Sequence, residues 1–443
     1  MPGSSSRERS FPLRGGAEAA GMDDRGANYE ILDATTLSRF IATLESVALR
    51  LGGSPQDWRV REVGDGNLNL VFLVDGPDGS ICLKQALPYV RAAGPGWPMS
   101  ADRAHFENAY FRAVAPHVAG SIPGIYHYDP ALHCTVMERL SPHIILRQGL
   151  IGGQRYPRVA RDIGEYVARA CFFTSDFARP VERKLADMAE FAGNAPLIRI
   201  TVDLVFAEPY YDAQRNRHTS PELDGIAAEL RQDGALKVRA AHFGRKFLTE
   251  AQALIHGDLH SGSVMVTGED TRVIDPEFAF YGPIGFDLGA FFGNLLLSWF
   301  SQPGHARSGD DRSSHRTWIL EQLEVFWSTF RRRFLSLWSE QSRGDAFPSA
   351  MFRGPADEAA LNCARAAFMD ALFDDMLGFA ACKMIRRILG FAHVADLESI
   401  VDRATRARCE AAALAMAADL LLRPERFRSV GEVIEAVSRS RHG

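Results

Sequence analysis

The sequence predicts an α+β protein with a small antiparallel β-sheet lobe followed by a larger, mainly helical lobe. Two patterns predict this class. Near the N-terminus, short segments alternate apolar and polar residues between glycine-rich turns, which is typical of a meander of strands. From Tyr156 onward, apolar residues recur at three- and four-residue spacing, which is typical of amphipathic helices. With 443 residues, of which 46% are apolar, the chain is long enough for two domains and a substantial core.

The charge balance and the cysteines narrow the class of protein. Lys and Arg number 50 and Asp and Glu number 55, a net charge of −5, which argues against a protein that coats nucleic acid and favours a small-molecule partner. The six cysteines are scattered without a C-x-x-C pair, as expected of reduced packing residues in a cytosolic protein. We therefore predict a cytoplasmic location and no nucleic-acid partner.

No membrane segment is predicted. The longest apolar run, residues 288–300, is shorter than the roughly 20 residues that a span needs, so we expect a buried core helix there. Residues 1–28 lack the apolar region of a secretory signal and are predicted to be a disordered leader.

The predicted N-lobe covers residues 29–140 and binds the nucleotide. It begins with an amphipathic helix over residues 35–51, capped by a Thr or Ser. Residues 58–74 alternate around Gly-Asp-Gly-Asn and predict two strands joined by a turn that needs glycine torsions. The remaining elements are a third strand that carries Lys84, a helix over 105–118 and a strand over 134–138.

The predicted C-lobe covers residues 141–443. One β island interrupts its helices between residues 256 and 280, where short apolar pieces alternate with turn residues. The polar, glycine-rich segment over 301–315 predicts a surface loop. The long helical segments are predicted over 156–178, 223–253, 315–340 and 357–388.

A glycine-rich hairpin followed by a lysine is the first candidate site. Gly64 and Gly66 lie in its turn, and most such hairpins are plain turns. Here the next strand carries Lys84, so backbone N–H groups and an ammonium group can approach the same polyphosphate. Because a lysine on an apolar strand is costly to bury alone, we expect a carboxylate partner, and Glu107 is the best candidate.

The strongest local pattern is HGDLHSGS at residues 256–263, followed by Asp275-Pro276-Glu277. Phosphoryl transfer to an alcohol needs such a set of carboxylates. Asp258 would orient and deprotonate the acceptor hydroxyl, while the second group holds magnesium against the nucleotide phosphates. The alternative is that these aspartates have ordinary capping or turn roles, and the spacing of the whole series disfavours it.

Arg386 and Arg387 are adjacent within an otherwise apolar helical stretch. Neighbours on a helix point about 100° apart, so the two side chains cannot both reach solvent from a buried face. At least one is expected to meet an anion, and a planar guanidinium suits phosphate oxygens. A solvated pair near a helix end is the alternative.

Together these segments resemble the protein-kinase-like fold, in the branch of the aminoglycoside and choline phosphotransferases. Four stretches in order, EVGDGNLNLVF, HGDLHSGS, DPEFAFYGPIGFDLG and KMIRRILGFAHVADLE, closely resemble the 5-methylthioribose kinase family. The resemblance implies ATP-dependent phosphorylation of the 1-hydroxyl of 5-methylthioribose in methionine salvage. It also implies Mg²⁺ and a homodimer.

The resemblance further implies roles for individual residues. Asp258 is similar to a catalytic base that also binds the sugar, and Arg386 and Arg387 are similar to paired arginines near the sugar and the transferred phosphoryl group. In the hinge that meets the adenine, Glu138 and Leu140 would act through their main chain. The implied nucleotide-binding positions are Gly64, Gly66, Asn67, Lys84, Glu107, Glu138, Arg139, Leu140, Asp275, Pro276 and Glu277.

One position departs from the pattern of the aminoglycoside and choline phosphotransferases. Relatives usually place an asparagine metal ligand five residues after the catalytic aspartate, where this chain has Ser263. The resemblance therefore implies that Glu277 replaces this ligand and binds the metal together with Asp275.

The supporting residues have plainer predicted roles. His256 would brace the catalytic loop by hydrogen bonds, and Asp287 would accept the loop's backbone N–H groups. His256 and His260 flank an aspartate, but without a convincing third ligand we prefer structural roles to a zinc site. Trp97 and Pro98 lie in a loop that is either a lid over the nucleotide or an ordinary exposed loop.

Two other functions stay open at this point. The first is a small-molecule phosphotransferase of the aminoglycoside, choline or homoserine kinase type. The second is a catalytically dead kinase-like binding module, which the presence of every required charged group makes a poor fit.

Overall fold

The structure is a computed structural model that describes residues 29–64, 68–91, 94 and 96–439. Its described part has the predicted bilobal α+β architecture, with a small antiparallel sheet followed by a mainly helical remainder. The predicted leader over residues 1–28 lies outside the described residues. The strands are β1 (Arg59–Glu62), β2 (Asn69–Asp75), β3 (Ser80–Ala86), β4 (Ile125–Asp129), β5 (Cys134–Glu138), β6 (Ile144–Ile145), β7 (Ala253–Ile255), β8 (Val264–Val266), β9 (Thr271–Val273) and β10 (Phe280–Gly282).

The helices include the long segments predicted over 156–178, 315–340 and 357–388, whereas the predicted segment over 223–253 forms two helices that meet at Asp233. They are α1 (Ala34–Ala42), α2 (Glu45–Leu51), α3 (Arg103–Val118), α4 (Leu146–Ile151), α5 (Val159–Thr174), α6 (Val181–Phe191), α7 (Ala195–Thr201), α8 (Asp224–Gln232), α9 (Gly234–Thr249), α10 (Ile284–Ser301), α11 (Ser313–Gln341), α12 (Asp357–Leu389), α13 (Ala395–Glu398), α14 (Arg403–Leu422) and α15 (Val430–Arg439).

The first five strands form one sheet in the order β1-β2-β3-β5-β4, and every neighbouring pair is antiparallel. Side chains of β2 and β3 alternate between its two faces, and one face packs against α1 and α2 in a core of its own. Leu83 lies in that core, so Lys84, paired in register with Thr135, points to the opposite face. This placement turns the lysine toward the rest of the site.

Residues 35–51 form two helices, α1 and α2, instead of the single predicted helix. The N-cap is Asp33, whose carboxylate accepts the backbone N–H groups of Thr35 and Thr36. Ile41 and Val47 are both buried, yet on one straight helix two side chains six positions apart would point about 120° away from each other around the axis. A break between them resets the phase, so both reach the same core.

The predicted buried core helix is confirmed. α10 is buried along its whole length. Within the part of the chain that the structure describes, residues 284–305 form the one helical stretch that meets the length and composition of a membrane span, and all of its most apolar window is buried inside the structure.

The predicted β island forms two small antiparallel sheets, β7 with β10 and β8 between β6 and β9. The HGD loop begins directly after β7, and Asp275 follows β9 by two residues. Both carboxylate segments are therefore anchored by short, buried strands.

The predicted surface loop over 301–315 is shorter in the structure. A 3₁₀ turn covers Gln302–His305, and α11 begins at Ser313. Gln302 is fully buried. Its side-chain amide is satisfied there, because it donates to the carbonyl oxygens of Leu150 (3.3 Å) and Ser298 (3.1 Å).

Candidate active site

Lys84 lies between two carboxylates. Its Nζ is 2.9 Å from Oε1 of Glu107 on α3, which confirms the predicted partner, and it also donates to Oδ1 of Asp275. Burial by itself would lower the pKa of Lys84, but Asp275 and Glu107 together raise that pKa above its usual value. The ammonium group therefore stays charged. It joins β3, α3 and the acidic turn (Asp275-Pro276-Glu277) at one point.

Asp275 combines an unusual backbone with an open side chain. Its φ of 70° lies in the left-handed region, which residues with a Cβ seldom adopt. Its side chain is 43% exposed although one oxygen meets Lys84. Partial burial opposes ionisation of this carboxyl, but Lys84 outweighs it and holds the pKa of Asp275 below its usual value. An ionised, accessible carboxylate on a strained turn is typical of a functional ligand.

Glu277, two residues later, is buried and already hydrogen-bonded. Its Oε2 accepts from Nδ2 of Asn69 at 3.0 Å and lies 3.2 Å from Nε of Arg103. Burial and the nearby charge of Asp275 raise the pKa of Glu277. The fully buried Arg103 also donates to three backbone carbonyl groups of the N-lobe. The acidic turn is thereby tied to the glycine-rich hairpin strand and to α3.

Sequence reasoning missed Asn69 and Arg103. A signal for Arg103 was present, because it precedes Glu107 by four residues, and this spacing puts both side chains on one face of α3. One turn of helix therefore supplies the carboxylate for Lys84 and the guanidinium for Glu277.

The catalytic loop, residues 256–263, is held by the two residues predicted to support it, His256 and Asp287. Asp287 of α10 accepts the backbone N–H groups of His256 (2.6 Å) and Gly257 (3.0 Å). The Nε2 atom of His256 donates to the carbonyl oxygen of Ile274 at 2.9 Å, so the loop is braced against the strand that leads to the acidic turn. Among the described residues there is no group of three or more His, Cys, Asp or Glu that could hold a metal ion.

Gly257 has a positional reason to be glycine. Its φ is 82°, and a Cβ there would lie 2.2 Å from the carbonyl oxygen of Phe278. The catalytic loop can pass this close to the acidic turn because position 257 lacks a side chain.

Asp258 is bound on both carboxylate oxygens. Oδ1 lies 2.7 Å from Nζ of Lys383 on α12, and Oδ2 lies 3.3 Å from Nε2 of His260. Burial lowers the pKa of His260 to about 4, and its Nδ1 accepts the backbone N–H of Gly262, so the ring is neutral with its proton on Nε2. Burial alone would raise the pKa of Asp258, but Lys383 and His260 hold it well below its usual range.

Arg386 and Arg387 are both buried, with 9% and 7% of their surface exposed, so the alternative of a solvated pair is wrong. Each donates through Nη1 to the carbonyl oxygen of Ala392, at 3.0 and 3.4 Å. Their Nε atoms have no hydrogen-bond partner within the described residues. Burial lowers the pKa of both guanidinium groups. Buried N–H donors in this state are suited to an anionic ligand.

An ion pair between a residue of α4 and a residue of α13 lies near these arginines. Nε of Arg147 lies 3.1 Å from Oδ2 of Asp396 and 3.2 Å from Oγ of Ser261. Sequence reasoning assigned neither Arg147 nor Asp396. With Lys383, Arg386 and Arg387, this makes four cations against the three carboxylates of Asp258, Asp287 and Asp396. The excess of positive charge favours a bound anion.

The acidic turn fits magnesium chemically. Mg²⁺ prefers oxygen ligands and is usually held by one or two protein carboxylates together with water and phosphate oxygens. Asp275 is the more open of the two predicted ligands, since Oε2 of Glu277 is already committed. Ser263, which stands where relatives have an asparagine ligand, donates its Oγ to the carbonyl oxygen of Asp258 at 3.0 Å.

The predicted hinge follows strand β5. Glu138 ends that strand, its backbone N–H donates to the carbonyl oxygen of Gly124 at 2.7 Å, and its Oε2 accepts the N–H of Gly124 at 3.0 Å. Arg139 forms an ion pair with Asp75 of β2. Leu140 follows directly, outside any strand.

The glycine-rich hairpin is only partly described. Gly64 lies in the turn, and a Cβ at that position would meet nothing within 4 Å. Gly66 and Asn67 lie outside the described residues, so their predicted contacts with the nucleotide stay predictions.

The Trp97 loop reaches the helical lobe. The Trp97 ring lies 5.1 Å from the ring of Phe391, and the guanidinium of Arg215 lies 5.0 Å from the Trp97 ring. Phe391 directly precedes Ala392, the residue to which both arginines donate. Trp97 therefore packs against the helical lobe while Pro98 is exposed, and the role of this loop as a nucleotide lid stays a prediction.

Comparison with known proteins agrees with this geometry. The sequence profile described as "Phosphotransferase enzyme family" matches residues 59–318. A methylthioribose kinase of Escherichia coli is 45% identical over 415 residues, covering 94% of this chain and 99% of the relative. Methylthioribose kinase 1 of rice (Oryza sativa subsp. japonica) is 44% identical over 410 residues, covering 92% and 94%. The chain belongs to the methylthioribose kinase family.

Membership of the methylthioribose kinase family makes the chain a kinase enzyme and supports the predicted phosphotransferase over the dead binding module. Among solved structures, choline kinase from Cryptosporidium parvum aligns with a TM-score of 0.43 and 10% identity, covering 92% of this chain and 100% of the choline kinase chain.

Proposed function

We propose that the chain transfers the γ-phosphoryl group of ATP to the 1-hydroxyl of 5-methylthioribose, giving ADP and 5-methylthioribose 1-phosphate in methionine salvage. The observation that carries the proposal is the carboxylate of Asp258, 19% exposed, beside two buried arginines whose Nε atoms lack hydrogen-bond partners among the described residues. A carboxylate for the hydroxyl and guanidinium groups for the phosphoryl oxygens are what this transfer requires. The names of the methylthioribose kinase relatives support the choice of acceptor.

The reaction is a direct, in-line transfer without a phospho-enzyme. A bond forms between the sugar oxygen and the γ-phosphorus while the bond from that phosphorus to the ADP oxygen breaks. Asp258 orients the hydroxyl and receives its proton. Because its pKa is low, Asp258 is a weak base, and the proton moves late, as a loose phosphoryl-transfer transition state allows. Arg386 and Arg387 donate to the phosphoryl oxygens as charge develops on them.

The nucleotide binds between the lobes, with its phosphates at Lys84 and its adenine at the backbone of Glu138 and Leu140. Asp275 and Glu277 hold Mg²⁺, which neutralises phosphate charge when bound. The division of labour follows the predicted boundaries, with the nucleotide-binding lobe over 29–140 and the catalytic and sugar-binding lobe over 141–443. We further infer a cytoplasmic homodimer with no nucleic-acid or membrane partner.

The acceptor is tested by steady-state kinetics with ATP and Mg²⁺ on the full chain. We expect kcat/KM for methylthioribose to exceed that for choline, homoserine or an aminoglycoside by about 10³-fold or more, because a site built around one hydroxyl discriminates strongly. Phosphorus NMR of the product is expected to place the new phosphate on C1. Preferential phosphorylation of choline, homoserine or an aminoglycoside would overturn the proposed acceptor and leave the kinase assignment intact.

The predicted metal role of Glu277 has its own test. Glu277→Gln keeps the size of the side chain and an oxygen for Asn69 and Arg103, but removes the negative charge. We expect the Mg²⁺ concentration for half-maximal activity to rise about tenfold. Glu190→Gln, a half-exposed carboxylate near His105, is the control and should leave the Mg²⁺ dependence unchanged. An unaltered Mg²⁺ dependence in Glu277→Gln would show that Glu277 acts through Arg103 and not through the metal.

A further inference from the structure

Lys383 is the buried cation that contacts the predicted catalytic carboxylate. Its side chain is 3% exposed, and its Nζ lies 2.7 Å from Oδ1 of Asp258. The same ammonium lies 4.6 Å from the centre of the Phe286 ring, which shields it from water on that side. A contact this short between a buried ammonium and a carboxylate that is 19% exposed fixes the orientation of both side chains.

The three cations of α12 divide into two kinds. The arginines at 386 and 387 follow Lys383 by three and four residues, so all three side chains lie on one face of the helix. The two arginines donate to the carbonyl oxygen of Ala392, whereas Lys383 donates to Asp258. One cation is therefore committed to the carboxylate, and two remain for an anionic ligand.

We propose that Lys383 is a positioning residue for phosphoryl transfer: its ammonium group holds Oδ1 of Asp258, so that Oδ2, which also lies 3.3 Å from Nε2 of His260, meets the acceptor hydroxyl. This inference rests on the proposed function, because it assigns the hydroxyl to Oδ2. It separates the task of orienting Asp258 from the task of neutralising the phosphoryl group.

The charges around Asp258 show why one lysine matters. Asp258 faces His260 of its own loop and the two arginines of α12, while Arg147 of α4, Asp396 of α13 and Asp287 of α10 lie near those arginines, His260 or Lys383. His260 is neutral, and Arg147 is paired with Asp396. After burial, which raises the pKa of Asp258, Lys383 is the largest influence and lowers that pKa. Burial lowers the pKa of Lys383 to about 8, which still leaves it mostly charged at neutral pH.

Loss of Lys383 is expected to make the activity depend on pH. In the wild type the pKa of Asp258 lies well below its usual range, so Asp258 is ionised at every pH from 5.5 to 8. Without Lys383, only the smaller influences of His260 and Arg387 oppose burial, so the pKa of Asp258 rises. The protonated form cannot accept the hydroxyl proton, so the activity of the variant must rise as pH rises.

The kinetic test compares Lys383→Met, Lys383→Gln and Lys383→Arg in the full chain between pH 5.5 and 8. We expect the Met and Gln variants to lose about 100-fold in kcat at the acid end and to recover part of this loss with rising pH, with little change in the KM for ATP. Lys383→Arg keeps a cation and should retain a flat profile. Lys246→Met, which breaks the buried ion pair with Asp375 (2.8 Å), is the control and should leave the shape of the profile unchanged.

Two kinetic results would overturn the proposal. One is a loss in the Met and Gln variants by the same factor at every pH, which indicates a purely structural role. The other is an equal loss in Lys383→Arg, because a retained cation would then give no rescue.

A second measurement does not depend on the acceptor. Carboxyl-¹³C NMR of aspartate-labelled protein reports the titration of Asp258, whose signal is assigned by its absence in Asp258→Asn. We expect this signal to titrate at a higher pH in Lys383→Gln than in the wild type, and an unmoved titration would refute the role of Lys383. A wild type that fails to phosphorylate methylthioribose refutes the proposed function instead, so the two failures are distinguishable.

Discussion

Asp258→Asn is expected to lower kcat by about 10³-fold or more, while the dissociation constant of ATP changes only a few-fold. Asparagine keeps the shape of the side chain and an oxygen that can face Lys383, but it cannot take up the hydroxyl proton. The nucleotide is predicted to bind at Lys84 and the hinge, away from this side chain, so its affinity should persist. Steady-state kinetics and calorimetric titration with ADP measure the two quantities on the same preparation.

The matched control is Asp270→Asn. Asp270 lies on the turn between β8 and β9, pairs with His143 and Arg272, and is 38% exposed. Its replacement should leave kcat within about twofold, because surface ion pairs contribute little. A residual kcat in Asp258→Asn within tenfold of the wild type would show that another group takes up the proton.

Lys84→Met is expected to weaken ATP binding and to destabilise the fold. Removing the ammonium leaves the carboxylates of Glu107 and Asp275 without their shared cation, and breaking a buried pair in this way typically costs about 3–5 kcal/mol. Because Asp275 is partly exposed, the lower part of that range is expected. Denaturant unfolding and the KM for ATP are the measurements.

The loss of stability in Lys84→Met should depend on pH. Burial raises the pKa of Glu107 above its value in the unfolded chain, and loss of Lys84 raises it further. A carboxyl whose pKa is raised by folding favours the folded state when protonated, so the unfolding free energy of the variant should increase as pH falls from 8 to 5.5. Lys184→Met, which removes the ion pair with Asp176 (2.6 Å), is the control for a generic loss of lysine. A destabilisation independent of pH would contradict the pairing of Lys84 with Glu107.

The predictable part of the site consists of residues that lie within recognisable local patterns. The strand lysine, the helix glutamate, the HGD loop and the acidic turn each have a characteristic neighbourhood in the sequence. The spacing of apolar residues likewise predicted α5, α11 and α12, and the longest apolar run predicted the buried α10. The spacing failed between α1 and α2 because the phase of buried residues resets at a break that composition does not mark.

The missed residues are joined to the site by contacts across long sequence distances. Asn69 meets Glu277 across 208 residues, and Lys383 meets Asp258 across 125. No local pattern encodes such a pair, and the packing of the lobes and of α12 brings its members together. Lys383 was visible within the KMIRRILG stretch, but its partner was not.

In the proposed reaction, Asp258 contacts the 1-hydroxyl of methylthioribose, and the oxygen of that hydroxyl lies in line with the γ-phosphorus of ATP. A crystal structure of the full chain with a non-hydrolysable ATP analogue, Mg²⁺ and methylthioribose measures this directly. We expect the sugar O1 within hydrogen-bonding distance of Oδ2 of Asp258, and phosphate oxygens on Arg386 and Arg387. A sugar bound with another hydroxyl at Asp258, or away from this carboxylate, would contradict the account.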